Sequence, residues 1–304
     1  MKNKLQENSI KQQLPKDYIS VAQLNAMYKC GEFYRQRYVK GKPFKSNIRM
    51  VIGNAVHLYA KKLIQGELKA PEKTLQETGQ GLYLLSRDEL SELLLDEVLT
   101  EREEDFDYAL KKIMTPEEWK DKIATLDYMT ERVSIYCELY KDEIYPRFKD
   151  TTPIAELDAN TQLDTGDGYP ITIFGKLDIV MPGVGFRDLK VMGKKPAAGV
   201  ADASLQFTSY AYWWYKKQGV IPEIYQDTIV GGKKKIYAME PIKTVRTFEH
   251  LQAYEKRLEV FIRAILNKSY LPAGPDNWWC GPGKCDFAGE CMYVCNPETI
   301  KEVA

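Results

Sequence analysis

The stretch that decides the fold is residues 171–192, ITIFGKLDIVMPGVGFRDLKVM. Ile171, Ile173, Leu177 and Ile179 alternate, as expected of a strand with one buried face, and Asp178 then points to the other face. The segment MPGVG (181–185) turns the chain, and in the following strand Asp188 and Lys190 are two apart and share a face. If the turn centres on Gly183, Asp178 lies opposite Asp188, with Cβ atoms about 4.5–5.5 Å apart. Carboxylates that close repel and raise each other's pKa unless a cation neutralises them. A divalent metal that prefers oxygen ligands is the natural partner, and Lys190 beside it would hold a water or stabilise charge on a phosphate. The hairpin alone reads equally well as a surface turn carrying an Asp–Lys pair.

Outward from this hairpin the chain is helical before it and mixed after it. Residues 1–16 read as a flexible tail. From Tyr18 to Leu68 the pattern is helical, with Ile52, Val56, Tyr59 and Leu63 on one face. Residues 82–148 continue as helix, and Thr115-Pro116-Glu117-Glu118 has the N-cap, N1 and N3 residues of a helix start. PIAELDANTQL (153–163) is a strand ahead of the hairpin. ASLQFTSYAYWWYKKQG (203–219) is a helix, YQDTIVGG and KKIYAMEPIK are two strands around Gly231-Gly232, and EHLQAYEKRLEVFIRAIL (249–266) is an amphipathic helix. This order predicts an α/β fold with a central mixed β-sheet flanked by helices. Its parts are the N-terminal helices at 17–68, a helical insertion or cap at 69–150, a core at 151–270 and a Cys-rich, metal-bound tail at 271–304.

Composition narrows the function. The 304 residues carry 43 Lys+Arg against 43 Asp+Glu, which excludes a uniformly basic nucleic-acid binder but leaves room for a basic groove. Seven basic residues between Lys29 and Arg49 (Lys29, Arg35, Arg37, Lys40, Lys42, Lys45 and Arg49) face one acid, Glu32. Lys194-Lys195 and Lys233-Lys234-Lys235 add two more patches, whereas Glu101–Asp107 is acidic. No apolar run reaches the ~18 residues of a membrane span, and MKNKLQENSIKQQLPKD lacks a secretory signal, so no membrane association and a cytoplasmic location are expected.

Cys280, Cys285, Cys291 and Cys295 fall within sixteen residues, and in a chain without an export signal such a cluster reads as a metal site. They could bind zinc locally. Cys137 lies on an amphipathic helix and reads as a buried thiol. His57 and His250 are the two histidines, and His250, in a charged helix, reads as exposed.

Six pieces in order along the chain carry a resemblance. They are YISVAQLNAMYKCGEFYRQRYV with Cys30, GNAVH ending at His57, Glu156 on the first core strand, GKLDIV with Asp178 and RDLK with Asp188 and Lys190, LQFTSY with Gln206 and Tyr210, and WWCGPGKCDFAGEC near the end. Together they resemble the PD-(D/E)XK nuclease superfamily, in particular its RecB-like exonuclease branch with a cysteine-bound cluster. The family usually has Cys-Pro where this chain has Cys30-Gly31.

The resemblance implies a restriction-endonuclease-like core and named roles. His57, Asp178, Asp188 and the backbone carbonyl of Leu189 would bind Mg2+ or Mn2+. Lys190 would position the attacking water, and Glu156 would orient the site or assist a second ion. Gln206 and Tyr210, four apart on one helix face, would touch DNA or order the site, and Trp213 and Trp214 beside them read as packing. Cys30, Cys280, Cys285 and Cys291 would hold a structural 4Fe–4S cluster, with zinc and Cys295 as the alternative. Arg35, Arg37, Lys194 and Lys195 would line a groove for DNA. The function implied is a metal-dependent DNA exonuclease of phage or bacterial recombination, repair or DNA processing, and the helical insertion between His57 and the core strands is expected to form a cap through which single-stranded DNA threads. A nuclease of CRISPR adaptation and a non-catalytic DNA-binding or assembly subunit are the rival readings. A homo-oligomer or a recombination partner protein is left open.

Overall fold

The structure, a computed structural model, describes residues 18–42, 48–67, 122–164, 170–232, 235–274, 277, 280 and 285–291. The expected 1–16 tail, the helix start at 115–119, residues 69–121 of the expected insertion, Lys45, Leu68, Lys233, Lys234 and Cys295 lie outside the described residues.

The chain enters as a strand rather than a helix. β1 (Tyr18–Ser20) pairs in parallel with the hairpin's first strand, Ile19 beside Ile173. The switch comes at Ser20, whose Oγ accepts from the Gln23 N–H (3.1 Å) while Gln23 Oε1 accepts from the Ser20 N–H (2.8 Å). This reciprocal cap satisfies two otherwise orphaned donors and starts α1 (Val21–Lys29). Cys30, in extended backbone, ends α1 and caps α2 (Gly31–Tyr34), which runs into a π-helical turn, Arg35–Val39. α3 (Ile48–Gln65) and α4 (Lys122–Leu139) follow, α4 ending in a second π-helical turn at Tyr140–Ile144.

β2 (Ile154–Asp164), β3 (Pro170–Met181), β4 (Gly185–Met192), α5 (Leu205–Gln218), β5 (Glu223–Gly231), β6 (Ile236–Ala238), β7 (Ile242–Thr244) and α6 (Phe248–Leu266) complete the main elements. The expected strand KKIYAMEPIK is therefore two short ones, parted near Pro241, which has no N–H for a ladder. Among the described residues the sheet has seven strands in the order β1-β3-β4-β5-β6, with β2 on β3 and β7 on β5. β4 and β5 are parallel, Asp188 beside Gln226. A parallel pair needs a crossover, and α5 supplies it, capped by Ser204 at its start and by left-handed Gly219 at its end.

Helices cover both faces. Ile19, Leu24, Phe186, Phe207, Trp214, Leu258 and Ile262 build one buried cluster from α1, α5 and α6. Ile52, Val56, Val133, Tyr140, Ile179, Leu189 and Ile229 build the other beneath α3 and α4. The described part of the expected 69–150 insertion, from residue 122 on, thus packs on the sheet as a core layer. Each fully buried Leu, Ile or Phe here contributes about 1.5–3 kcal/mol.

One detail of the expected alternation is corrected. Ile171, Ile173 and Leu177 join the first cluster but Ile179 joins the second, and Val180 returns to the first. The buried face changes at Asp178. Glu156 stands opposite in register with a left-handed backbone (φ 52°), and neither residue appears among the paired positions of β2 and β3.

Candidate active site

The hairpin closes as its residues dictate. Met181 pairs with Gly185, and Gly183 takes φ 74° at the centre of the turn. Pairing continues through Ile179 and Arg187 and stops there, one step short of Asp178 and Asp188. β2 occupies one edge of β3, while the other edge is shared by β1 at Thr172–Phe174 and by β4 at Ile179–Met181. Residues 175–178 fall in the gap between them. In place of a ladder bond, the Leu189 N–H donates to Asp178 Oδ2 at 3.0 Å. The strands fork at the two acids, and a fork is where side chains from both helical layers can meet.

From the α5 side come Lys190, Gln206 and Tyr210. Asp188 is 1% exposed, and the Lys190 ammonium lies 2.7 Å from its Oδ2. Gln206 bridges the pair, its amide N–H donating to Asp188 Oδ1 (3.1 Å) and its Oε1 accepting from Lys190 (3.2 Å). Burial pushes the Asp188 carboxyl up to about 7 against the pull of Lys190, and the charges of Asp178 and Asp227 push the same way. Burial would lower the Lys190 ammonium, but the carboxylates of Asp188 and Asp178 outweigh it and hold it above its usual range. Tyr210 is buried, accepts from Gln206 at 3.1 Å and packs edge-on to Phe186. It supports Gln206 from below, and with the residue 5% exposed, burial favours the second of its two expected roles, touching DNA or ordering the site. Trp214 is buried and Trp213 packs partly buried on the same cluster.

From the α3 side comes His57, whose Nδ1 lies 3.5 Å from Asp178 Oδ2. One turn on, Lys61 lies 3.1 Å from Glu156 Oε2, and Lys176 lies 3.5 Å from the same oxygen. Burial raises the Glu156 carboxyl, but the two lysines prevail and leave it below its ordinary value.

Two carboxylates and an imidazole at the fork are donors that suit a hard divalent ion. Asp188 Oδ2 is buried, and its near neighbour is the Lys190 ammonium at 2.7 Å. Among the described residues no three Asp, Glu, His or Cys side chains form a ready-made metal-holding group. Each acid is drawn to a donor of the chain instead, Asp178 to the Leu189 N–H and Asp188 to Lys190 and Gln206.

The N-terminal helices dock on the tail. Cys30 Sγ accepts from the Phe33 N–H (3.4 Å) and the Ala273 N–H (3.3 Å). The Gly31 N–H donates to the Leu271 carbonyl at 2.7 Å, and a Cβ on Gly31 would meet the Leu271 backbone at 2.6 Å. A proline has no N–H to give, which accounts for glycine at this position. Phe33 packs on Phe287, and Lys42 pairs with Glu290. Burial raises the Cys285 thiol, and the Cys30, Cys280 and Cys291 thiols add to the effect. The four thiols act on one another across the two ends of the chain, but among the described residues they form no group that could hold a metal ion. Cys137 is buried under α4, away from them.

The sequence model of the PD-(D/E)XK nuclease superfamily matches residues 18–292, nearly the whole chain and every element of the fork. The chain belongs to the PD-(D/E)XK nuclease superfamily. A crystal structure of a Eubacterium rectale protein provisionally named an exonuclease shares the fold, with a TM-score of 0.51 and 16% identity over 95% of this chain and 93% of that one. The structure of SSO0001 aligns at a TM-score of 0.35 and 12% identity, covering 79% of this chain and 96% of that one. A search of curated proteins found no match.

Within this superfamily member the expected surface cations divide. Lys194 and Lys195 are exposed on the loop after β4. Arg35 is engaged by Glu32 at 2.7 Å, and Arg37 lies over the Tyr38 ring. His250 is exposed and caps α6 through its Nδ1. No helix among the described residues is long and apolar enough to cross a membrane. Three groups around the fork escaped the sequence reading. Lys61 and Lys176 hold Glu156. Arg187 grips buried Asp227 with two bonds of 2.7 and 2.8 Å on the face behind Asp188. Arg246, 3% exposed, ties the Ala201 and Ser204 carbonyls at the start of α5. Lys61 at four residues after His57, and Lys176 at two before Asp178, were the available signals. Asp227, the partner of Arg187, and the Ala201 and Ser204 carbonyls bound by Arg246 are remote in sequence and left none.

Proposed function

We propose that the protein is a divalent-metal-dependent DNA exonuclease of the RecB-like type, hydrolysing phosphodiester bonds at the fork of β3 and β4. The observation that carries this reading is the join of Lys190, Asp188 and Gln206 beside Asp178, at the one place where the hairpin ladder opens. His57, Asp178, Asp188 and the Leu189 carbonyl would hold Mg2+ or Mn2+. When bound, the ion supplies a water of lowered pKa and withdraws charge from the phosphate.

The chain's own residues do the remaining work. Lys190 stays protonated because two carboxylates face it, so it donates to the attacking water and faces the phosphate with positive charge where two acids alone would repel it. Gln206 fixes the ammonium and the Asp188 carboxylate in one geometry, and Tyr210 fixes Gln206. Glu156 belongs to the site through Lys61 and Lys176. Lys194, Lys195, Arg35, Arg37 and the exposed edge of Gln206 face DNA. Digestion from ends, and a place in phage or bacterial recombination or repair, follow the resemblance to RecB-like exonucleases. Cys30, Cys280, Cys285 and Cys291 hold a structural 4Fe–4S cluster in this reading, closing the N-terminal helices onto the tail. Zinc is the alternative occupant.

The test is digestion of end-labelled linear DNA in Mg2+ by the wild-type protein and by Lys190→Ala. The wild type releases nucleotides, and the variant is slower by about 10²–10⁴-fold, the range for loss of a positioned catalytic group. Equal rates would refute the mechanism.

A further inference from the structure

Glu156 is held at a conformational cost. It sits within an eleven-residue strand, yet its φ is 52°, a left-handed region that non-glycine residues rarely enter. Its carboxylate is 29% exposed, and one oxygen, Oε2, faces both ammoniums, Lys61 at 3.1 Å and Lys176 at 3.5 Å. Lys61 lies on α3 one turn after His57, on the same helix face. Lys176 lies on β3 two residues before Asp178. The two elements that bring the imidazole and the carboxylate to the fork thus each bring a lysine to Glu156. Two ammoniums sharing one carboxylate leave a net positive charge, and both lysines keep open surface, 34% and 49% exposed.

We infer that Glu156 is a positioning residue that splints Lys61 and Lys176 into a phosphate clamp, which grips the DNA backbone at the nucleotide next to the one cleaved. The inference rests on the nuclease reading above and gives Glu156 a role other than ligand of a second ion. An unpaired carboxylate would repel the substrate strand. A carboxylate that gathers two lysines attracts it and fixes its register against Asp178. The clamp reads no base, so it strengthens binding of all sequences alike.

The experiment compares wild type, the double variant Lys61→Gln/Lys176→Gln, and Glu156→Gln. DNA affinity is measured by anisotropy on a labelled linear oligonucleotide in EDTA from 50 to 200 mM salt, and Mn2+ affinity by calorimetry without DNA. Each phosphate contact contributes about 0.7–0.9 to the slope of log K against log salt. The clamp holds one phosphate, so the double variant should lose about 0.7–0.9 of that slope and bind more weakly at every salt, with Mn2+ affinity unchanged. Glu156→Gln should also keep its Mn2+ affinity within about twofold. Should the glutamine variant not fold, Glu156→Gly, which tolerates the left-handed backbone, gives the same reading. A wild-type slope retained in the double variant overturns the clamp and leaves the nuclease reading standing. A tenfold loss of Mn2+ affinity in Glu156→Gln overturns it too, returning Glu156 to the metal. A wild type that neither binds DNA nor loses affinity with salt overturns both readings.

Discussion

Gly175→Ala places one methyl group where the fork is least able to give. Gly175 lies in the gap on the edge of β3, and its added Cβ would stand 2.7 Å from Tyr210 Cε1, 3.3 Å from Tyr210 Cδ1 and 3.2 Å from Val21 Cγ2. The first distance is far inside van der Waals contact. Tyr210 has little room to retreat, because it is buried, its ring meets Phe186 with centroids 5.7 Å apart, and its hydroxyl is tied to Gln206. Overpacking of this kind costs about 1–3 kcal/mol, offset by roughly 0.5–1 kcal/mol for replacing a strand glycine. The net expectation is a loss of about 1–2 kcal/mol, read as a lower urea midpoint at unchanged m-value. Displaced Tyr210 carries Gln206 with it, so cleavage should fall by about tenfold or more. Tyr210→Leu should relieve the clash, making the double variant more stable than the sum of the single effects by at least ~0.5 kcal/mol. Gly175→Ala as stable and active as wild type, or strictly additive with Tyr210→Leu, would refute the packing argument.

Further tests address other parts of the molecule. Glu32 is buried, and its bonds from Arg35 and Gln36 hold its carboxyl below the ordinary value despite burial. A depressed folded-state pKa gives stability that is present above the unfolded pKa and lost as pH falls through the folded one. Glu32→Gln should therefore cost about 1–2 kcal/mol at pH 7, and urea melts should show this deficit vanishing as the pH is lowered below about 4. Asp227→Asn leaves the Arg187 guanidinium, 4% exposed, without its carboxylate, and should cost about 3–5 kcal/mol in the same assay. Protein purified anaerobically should be brown, with iron and sulfide on analysis and loss of colour in Cys285→Ser. A colourless protein with one zinc would reassign the cysteine site.

The sequence made the hairpin legible because its signals are local. Alternation, a glycine at the turn and the D-x-K spacing are set within twenty residues, and register then put Asp178 and Asp188 at one level. Gln206 and Tyr210 were legible as a helical i, i+4 pair. β1 was not, since three residues beside a helix leave no period to detect, and only their parallel partner on β3 defines them. The change of buried face at Asp178 was hidden for a related reason: it coincides with the left-handed backbone of Glu156 across the ladder, and a glutamate gives no warning of positive φ. The gap between β1 and β4 on a single edge, which creates the fork, is a property of three strands together. Cys30 was legible as a ligand candidate, but its bond from Ala273 and the Gly31–Leu271 contact became evident only with both chain ends side by side.

If His57, Asp178 and Asp188 gather one divalent ion beside Lys190, a crystal soaked in Mn2+ shows it. A single anomalous peak is expected in the fork, about 2.0–2.2 Å from the His57 imidazole, one oxygen of each carboxylate and the Leu189 carbonyl, with the Asp178 carboxylate released from the Leu189 N–H. Mn2+ bound elsewhere, or a fork that stays closed on its own donors at saturating Mn2+, would contradict it.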